Sequence, residues 1–228
     1  MSGYWCEYAW LGGSTVDASV YIETDAGRIT AISVGVPPAA DAVRLSGVTL
    51  PGFANAHSHA FHRALRGRTH HGGGSFWTWR DQMYHLAVRL DPESYQQLAE
   101  AVFAEMVLAG VTCVGEFHYL HHGPDGVAYT NPNAMSEAML SAAERAGLRI
   151  TLLDTLYLHG GFDQPPNAVQ RRFSDGNADA WGARVDRLTV PPHARLGAAI
   201  HSVRAVDPRS MSVSADWARD RDAVLHAH

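Results

Sequence analysis

Five short apolar runs along this chain each end in residues able to do chemistry, and longer segments separate them. Phe53 to Ala56 leads into His57 and His59. Val111 to Phe117 carries Glu116 and leads into Tyr119, and Arg149 to Leu156 leads into Tyr157 and His159. Leu196 to Ile200 is followed by His201 and Arg204, and Ala223 to Ala227 carries His226 and is followed by His228. Between the runs, Pro92 to Ala109 places Leu98, Val102, Met106 and Ala109 at helical spacing before the stop at Gly110, and Asn133 to Ala146 closes on Gly147. A further helix or turn begins near Asp207-Pro208. Apolar strands alternating with amphipathic helices imply a parallel sheet covered by helices. In a (β/α)8 barrel the carboxyl ends of the strands form the active-site face, so polar strand ends favour a barrel of that type over an open sheet. Five strands fall short of eight. The expectation is therefore a barrel truncated after about five strands over residues 51–228, with an open five-stranded sheet as the alternative.

Residues 1–50 follow a different grammar. Ala18 to Glu23 and Arg28 to Val34 alternate in polarity around the turn Asp25-Ala26-Gly27, and Pro37-Pro38 marks a loop. This predicts a small β element with no helix of useful length.

The sharpest chemical signal is His57-Ser58-His59, entered through Pro51-Gly52. On an extended strand, residues i and i+2 point to the same side, so both imidazoles face one point from a rigid backbone. A catalytic zinc takes three protein ligands and keeps an open position. The second His-x-His, His226-Ala227-His228, offers the third from another strand end, through one of its two histidines. Iron, nickel or cobalt would suit similar nitrogen ligands. His118, His121 and His122 read as a solvated loop, as do His70 and His71 ahead of Gly72-Gly73-Gly74. Arg80 follows the aromatic cluster Phe76-Trp77-Thr78-Trp79 in what reads as a loop, and Arg204 lies three residues after His201. Two arginines converging on one pocket would suit a dicarboxylate, because a guanidinium binds carboxylates bidentately.

Composition narrows the partners. A formal charge of −5 with no Lys/Arg block argues against nucleic acid. No apolar stretch approaches the ~20 residues that span a bilayer, and the N-terminus has no basic region followed by an apolar one, so a soluble, unprocessed chain without a membrane partner is expected. Two cysteines, Cys6 and Cys113, make no disulfide framework, which favours a reducing, cytoplasmic compartment. A homodimer is left open.

Several motifs together carry a family resemblance. Pro51-Gly52-Phe53-Ala54-Asn55-Ala56-His57-Ser58-His59 resembles the first-strand motif of the amidohydrolase superfamily, metal-dependent hydrolases built as a barrel with a small β-sandwich made from both chain ends. His57-Ser58-His59-Ala60-Phe61, Ser75-Phe76-Trp77-Thr78-Trp79-Arg80, Glu116-Phe117-His118-Tyr119-Leu120-His121-His122 and His201-Ser202-Val203-Arg204-Ala205 resemble, in that order, the formimidoylglutamate deiminases within it. The resemblance implies that residues 1–50 are the N-terminal part of the β-sandwich and 51–228 the first half of the barrel. It implies zinc held by His57, His59 and His228, with Arg80, Tyr119, His201 and Arg204 recognising a small dicarboxylate amidine. Where the family usually has Gln, three residues after the second ligand, this chain has His62, and that departure bears on substrate preference. The implied reaction turns N-formimino-L-glutamate into N-formyl-L-glutamate and ammonia, a step of histidine breakdown. The family's acid/base Glu and its later His and Asp have no counterpart within these residues, so no catalytic residue is expected here and the chain should not turn over alone. The rival readings are another deaminase of the superfamily acting on a ring amidine, and a non-catalytic metal-binding half barrel.

Overall fold

The computed structural model describes residues 2–69 and 74–228. His70 and His71 lie outside the described residues. The chain divides into two compact units, Met1–Gly52 and Phe53–His228.

The first unit is one four-stranded sheet. β1 (Ser2–Ala9) pairs antiparallel with β2 (Asp17–Asp25) and parallel with β4 (Val43–Thr49), while β3 (Arg28–Ser33) pairs with β2, giving the order β3-β2-β1-β4. Alternation puts Cys6, Ala9 and Val20 into a small core with Ile22 and Leu45 against it. The β2-β3 hairpin turns at Ala26-Gly27, both with positive φ, where glycine at the second position carries no steric cost.

The second unit holds β5 (Phe53–Ser58), β6 (Val111–His118), β7 (Arg149–Leu156), β8 (Ala194–Ile200) and β9 (Leu225–Ala227), all parallel and in sequential order. A doubly wound open sheet reverses strand order at a switch point. This sheet has none, and an uninterrupted parallel succession is the order a barrel builds, so the half-barrel expectation holds and the open-sheet alternative does not.

Among the described residues five α-helices accompany the sheet. α1 (Phe76–Ala87) follows a 3-10 turn, Ala60–Leu65, and α2 (Pro92–Leu108), α3 (Ala134–Ala146), α4 (Ala178–Val185) and α5 (Pro208–Asp220) alternate with the strands. Their starts are set by side chains. Asp91 accepts from the backbone N–H of Ser94 at 2.8 Å while Ser94 Oγ accepts from the Asp91 N–H, a reciprocal cap with Pro92 just inside. Asn177 and Asp207 cap α4 and α5 in the same sense. α3 ends at Gly147, whose φ of 75° needs a residue without a Cβ. α1 and α4 were not expected from the sequence.

Side-chain alternation gives the sheet two faces of different character. Gly115, Leu153 and Gly197 share the face away from the helices: a Cβ on Gly197 would lie 2.8 Å from Leu153 Cδ2 and 2.7 Å from Val224 Cγ2. The glycines are the holes into which Leu153 fits. On the opposite face Ile150 and Leu152 pack in the core with Trp181, which is fully buried.

Candidate metal centre and pocket

His57 is the fifth residue of β5 and His59 follows its last, so the two rings leave on the face away from the helices while Ser58 between them turns the other way. There Ser58 pairs in register with Glu116 of β6. Glu116 is fully buried: one oxygen accepts the Ala60 N–H at 2.6 Å, and the other has no partner among the described residues. Burial pushes its carboxyl up to about 7, partly opposed by the hydrogen bonds from Ala60 and Ser58. Glu116 thereby holds the backbone immediately after His59. A lone Glu inside an apolar strand was the signal for it.

β9 brings the second pair to the same place. His57 Nε2 lies 3.0 Å from His59 Nε2, and His59 Nε2 lies 3.2 Å from His228 Nε2. Nitrogens on one tetrahedral zinc, at Zn–N of about 2.05 Å, stand about 3.3 Å apart. The tautomers suit ligation as well. His59 Nδ1 faces the Phe117 carbonyl at 3.2 Å, which can only accept, so the proton sits on Nδ1 and Nε2 keeps its lone pair. His57 Nδ1 faces His226 Nε2 at 3.0 Å; with the shared proton on His57 Nδ1, His57 Nε2 keeps its lone pair. His226 is thus the residue behind a ligand, and His228 the one beside it. Burial, then its neighbours His228 and His57, lower His59 to about 3, and burial lowers His57 and His228 too, so the three rings are neutral near pH 7, the form that binds a cation. The residues fit a divalent metal.

A second group meets the spacing for a metal but not the chemistry. His118, His121 and Asp154 bring potential ligand atoms together on the helix-covered face. His121 Nε2 lies 2.9 Å from the Thr155 carbonyl and must carry its proton there. The two nitrogens of His118 face Tyr95 and Ser136, and Asp154 receives Trp181 Nε1 at 3.0 Å and Arg184 at 2.7 and 3.0 Å. Burial alone would raise the Asp154 pKa, but the adjoining guanidinium outweighs it and holds the carboxyl well below its ordinary range. Arg184, which also pairs with Asp175, is the cation of this site. His118, His121 and His122 are accordingly buried, which corrects the solvated-loop expectation: the loop is pinned by Asp154, Asp175 and the backbone of Arg172.

The sequence-derived substrate residues converge on one pocket of about 320 Å³ that His59 and His228 also line. His62 Nε2 is 2.7 Å from the hydroxyl of Tyr119, just past β6. Burial, then neighbouring histidines, lower His62 to about 2, so it is neutral. His201, lowered to about 3 by burial, then His228 and His59, packs its ring 5.3 Å from that of Tyr119 and 4.6 Å from that of Tyr157. Arg80 stands on α1, not in a loop, with its guanidinium carbon 4.5 Å from the centre of the Trp77 ring; Arg204 follows β8 and lies 6.0 Å from that of Phe76. The far end of α1 is fixed by the buried Arg172, which donates to the carbonyls of Ala87 and Leu90. Sequence reasoning did not include Tyr84, Tyr157, His159, Gln170 or Ser202, all polar members of the wall, among the substrate candidates.

A parallel half barrel with a histidine triad at its strand ends defines a class of metal-dependent hydrolase, and the chain belongs to the amidohydrolase family, whose profile matches residues 48–228. It is 43% identical over 194 residues to a formimidoylglutamate deiminase from Pseudomonas aeruginosa, covering 82% of this chain and 42% of that protein. An 8-oxoguanine deaminase from the same organism is 27% identical over 190 residues, 79% of this chain and 40% of the relative. Among solved structures, an amidohydrolase from Brucella melitensis superposes over the whole chain and 52% of its own with a TM-score of 0.87 and 34% identity. An atrazine chlorohydrolase from Arthrobacter aurescens, crystallised with zinc, shares the fold at a TM-score of 0.81 and 20% identity, over the whole of this chain and 52% of its own. The chain spans about half the length of these relatives, or somewhat less. Among the described residues no helix is long and apolar enough to cross a membrane.

Proposed function

We propose that this chain is the metal-holding half of a hydrolytic deiminase for N-formimino-L-glutamate, yielding N-formyl-L-glutamate and ammonia in histidine breakdown. The observation that carries the proposal is the single pocket joining His59 and His228 to Arg80 and Arg204. His57, His59 and His228 would hold a zinc ion, which when bound would supply Lewis acidity for the attack of water on the amidine carbon. Water adds oxygen to that carbon, the C–N bond to the terminal nitrogen breaks, and ammonia leaves. The chain's own residues position the substrate. Arg80 and Arg204 pair with its two carboxylates, while the hydrogen-bonded His62 and Tyr119 and the adjacent His201 orient the amidine between them and the triad. No carboxylate lines the pocket among the described residues, so the proton carried to the departing nitrogen is assigned to a group elsewhere in the protein, and the 228-residue chain by itself is expected to be inactive.

The test is Arg204→Ala in the polypeptide its source produces. Loss of a charge-assisted pair predicts a rise in KM of about tenfold or more for formiminoglutamate. An unchanged KM would reject the dicarboxylate reading, and turnover of ring amidines in preference would replace it.

A further inference from the structure

Gln170, 3% exposed, is the most enclosed polar side chain in the pocket wall without an assigned role. Its amide has one orientation. The backbone N–H of Asn167 donates to Oε1 at 2.9 Å, so the atom facing the hydroxyls of Tyr84 and Tyr157, 2.9 Å from each, is Nε2. An amide nitrogen only donates, so both phenol oxygens accept there. Neither hydroxyl donates to a carbonyl or carboxylate oxygen among the described residues. Both rings line the pocket, so their phenol protons are available to a ligand there. Burial raises both phenols above their ordinary pKa, so they stay donors at neutral pH. Next to them is Arg80, its guanidinium carbon 5.3 Å from the centre of the Tyr84 ring and its buried Nε without a hydrogen-bond partner among the described residues. A charged donor and neutral donors on one pocket wall suit an anionic oxygen.

We propose that Tyr84 and Tyr157, turned toward the pocket by Gln170, complete with Arg80 a subsite for one substrate carboxylate, and so help set specificity for the dicarboxylate. Gln170 is the positioning residue and the tyrosines are the substrate contacts. The inference rests on the deiminase reading and sharpens it.

The experiment uses Tyr84→Phe and Gln170→Glu in the source's own polypeptide, loaded with metal. A glutamate at 170 can only accept when ionised, so it draws the phenol protons away from the pocket. Three substrates are compared: N-formimino-L-glutamate, N-formimino-4-aminobutanoate and N-formimino-L-2-aminobutanoate, the last two lacking one or the other carboxylate. The expected result is a fall in kcat/KM of about tenfold for the dicarboxylate and for only one of the two monocarboxylates. Equal losses on all three would show mere structural damage, and no loss would show no contact; either overturns the proposal. If the unaltered protein turns over none of the three, the deiminase reading fails by itself. The subsite is then read by calorimetric titration with glutarate, expected to bind about tenfold more weakly to the Gln170→Glu protein. Equal binding to both proteins, or none to either, overturns it.

Discussion

The two faces of one parallel sheet carry nearly the same set of residues and use them in opposite ways. On the face away from the helices, His57, His59 and His228 bring their Nε2 atoms together, with the Nδ1 atoms of His57 and His59 against His226 and the Phe117 carbonyl. On the helix-covered face, His118, His121 and Asp154 bring ligand atoms within 4.8 Å of one another, but an arginine and neighbouring hydroxyl, indole and carbonyl groups already engage them. Residue type and spacing therefore do not make a metal centre. What makes one is a convergence of acceptors that the protein itself leaves without donors, and the second cluster is instead a buried ion-pair network holding loop, strand and α4 together.

The largest expected effect separates the two faces by metal affinity. His59→Ala is expected to weaken divalent metal binding by at least about a hundredfold, whereas His121→Ala leaves it within about threefold. Competition with a fluorescent zinc chelator measures both, and the reverse ranking would exchange the roles assigned to the faces. Next comes stability in the metal-free protein. Asp154→Ala leaves Arg184 buried with only Asp175 beside it and should cost about 3–5 kcal/mol, while His57→Ala, on an exposed residue, should cost about 1 kcal/mol or less. Urea unfolding gives both values, and comparable losses would mean the histidine triad is as much a structural element as the ion-pair network.

The two faces also differ in the pH dependence of metal-free stability. His59 and His201 are held near 3 and His121 near 4 in the folded protein, against 6.5 when unfolded. The unfolded chain therefore binds more protons between those values, and stability falls as pH drops below about 6.5. Asp175, held at about 2 despite burial by its hydrogen bond from His122 and the charge of Arg184, adds its own loss only as pH falls below 3.8. Two stages are expected in a series of urea titrations, the upper one reduced by His59→Ala. A flat profile from pH 6.5 to 4.5 would show that the buried histidines gain partners that accept their protons.

Much of this was legible in the sequence because strand ends advertise themselves. Apolar runs fixed the positions of the five strands, Asp91-Pro92 and Asp207-Pro208 announced two helix starts, and both His-x-His pairs declared their shared side by spacing alone. α1 was not legible: it buries only Met83 and Ala87 and shows Phe76 and Trp77 to solvent, so it lacks the apolar stripe that marks a helix. α4 is only eight residues long and buries Arg184, a residue that composition assigns to the surface. The three histidines at and just beyond the end of β6, His118, His121 and His122, misled for a related reason. The groups that make their burial tolerable, Asp154, Asp175 and Arg184, stand more than 30 positions further along the chain, beyond the reach of any local pattern.

The separation between the two histidine pairs bears on the order in which the molecule can come together. His57 and His226, like His59 and His228, stand 169 positions apart, and β9 joins β8 through only the three pairings Ala198 with Leu225, Ala199 with His226 and Ile200 with Ala227. An ion cannot find its third ligand until β6, β7 and β8 have formed and the short last strand has docked. Capture of the ion is therefore a late event in assembly, and it ties the first strand of the sheet to its most lightly held one, where an added cross-link restrains the chain most.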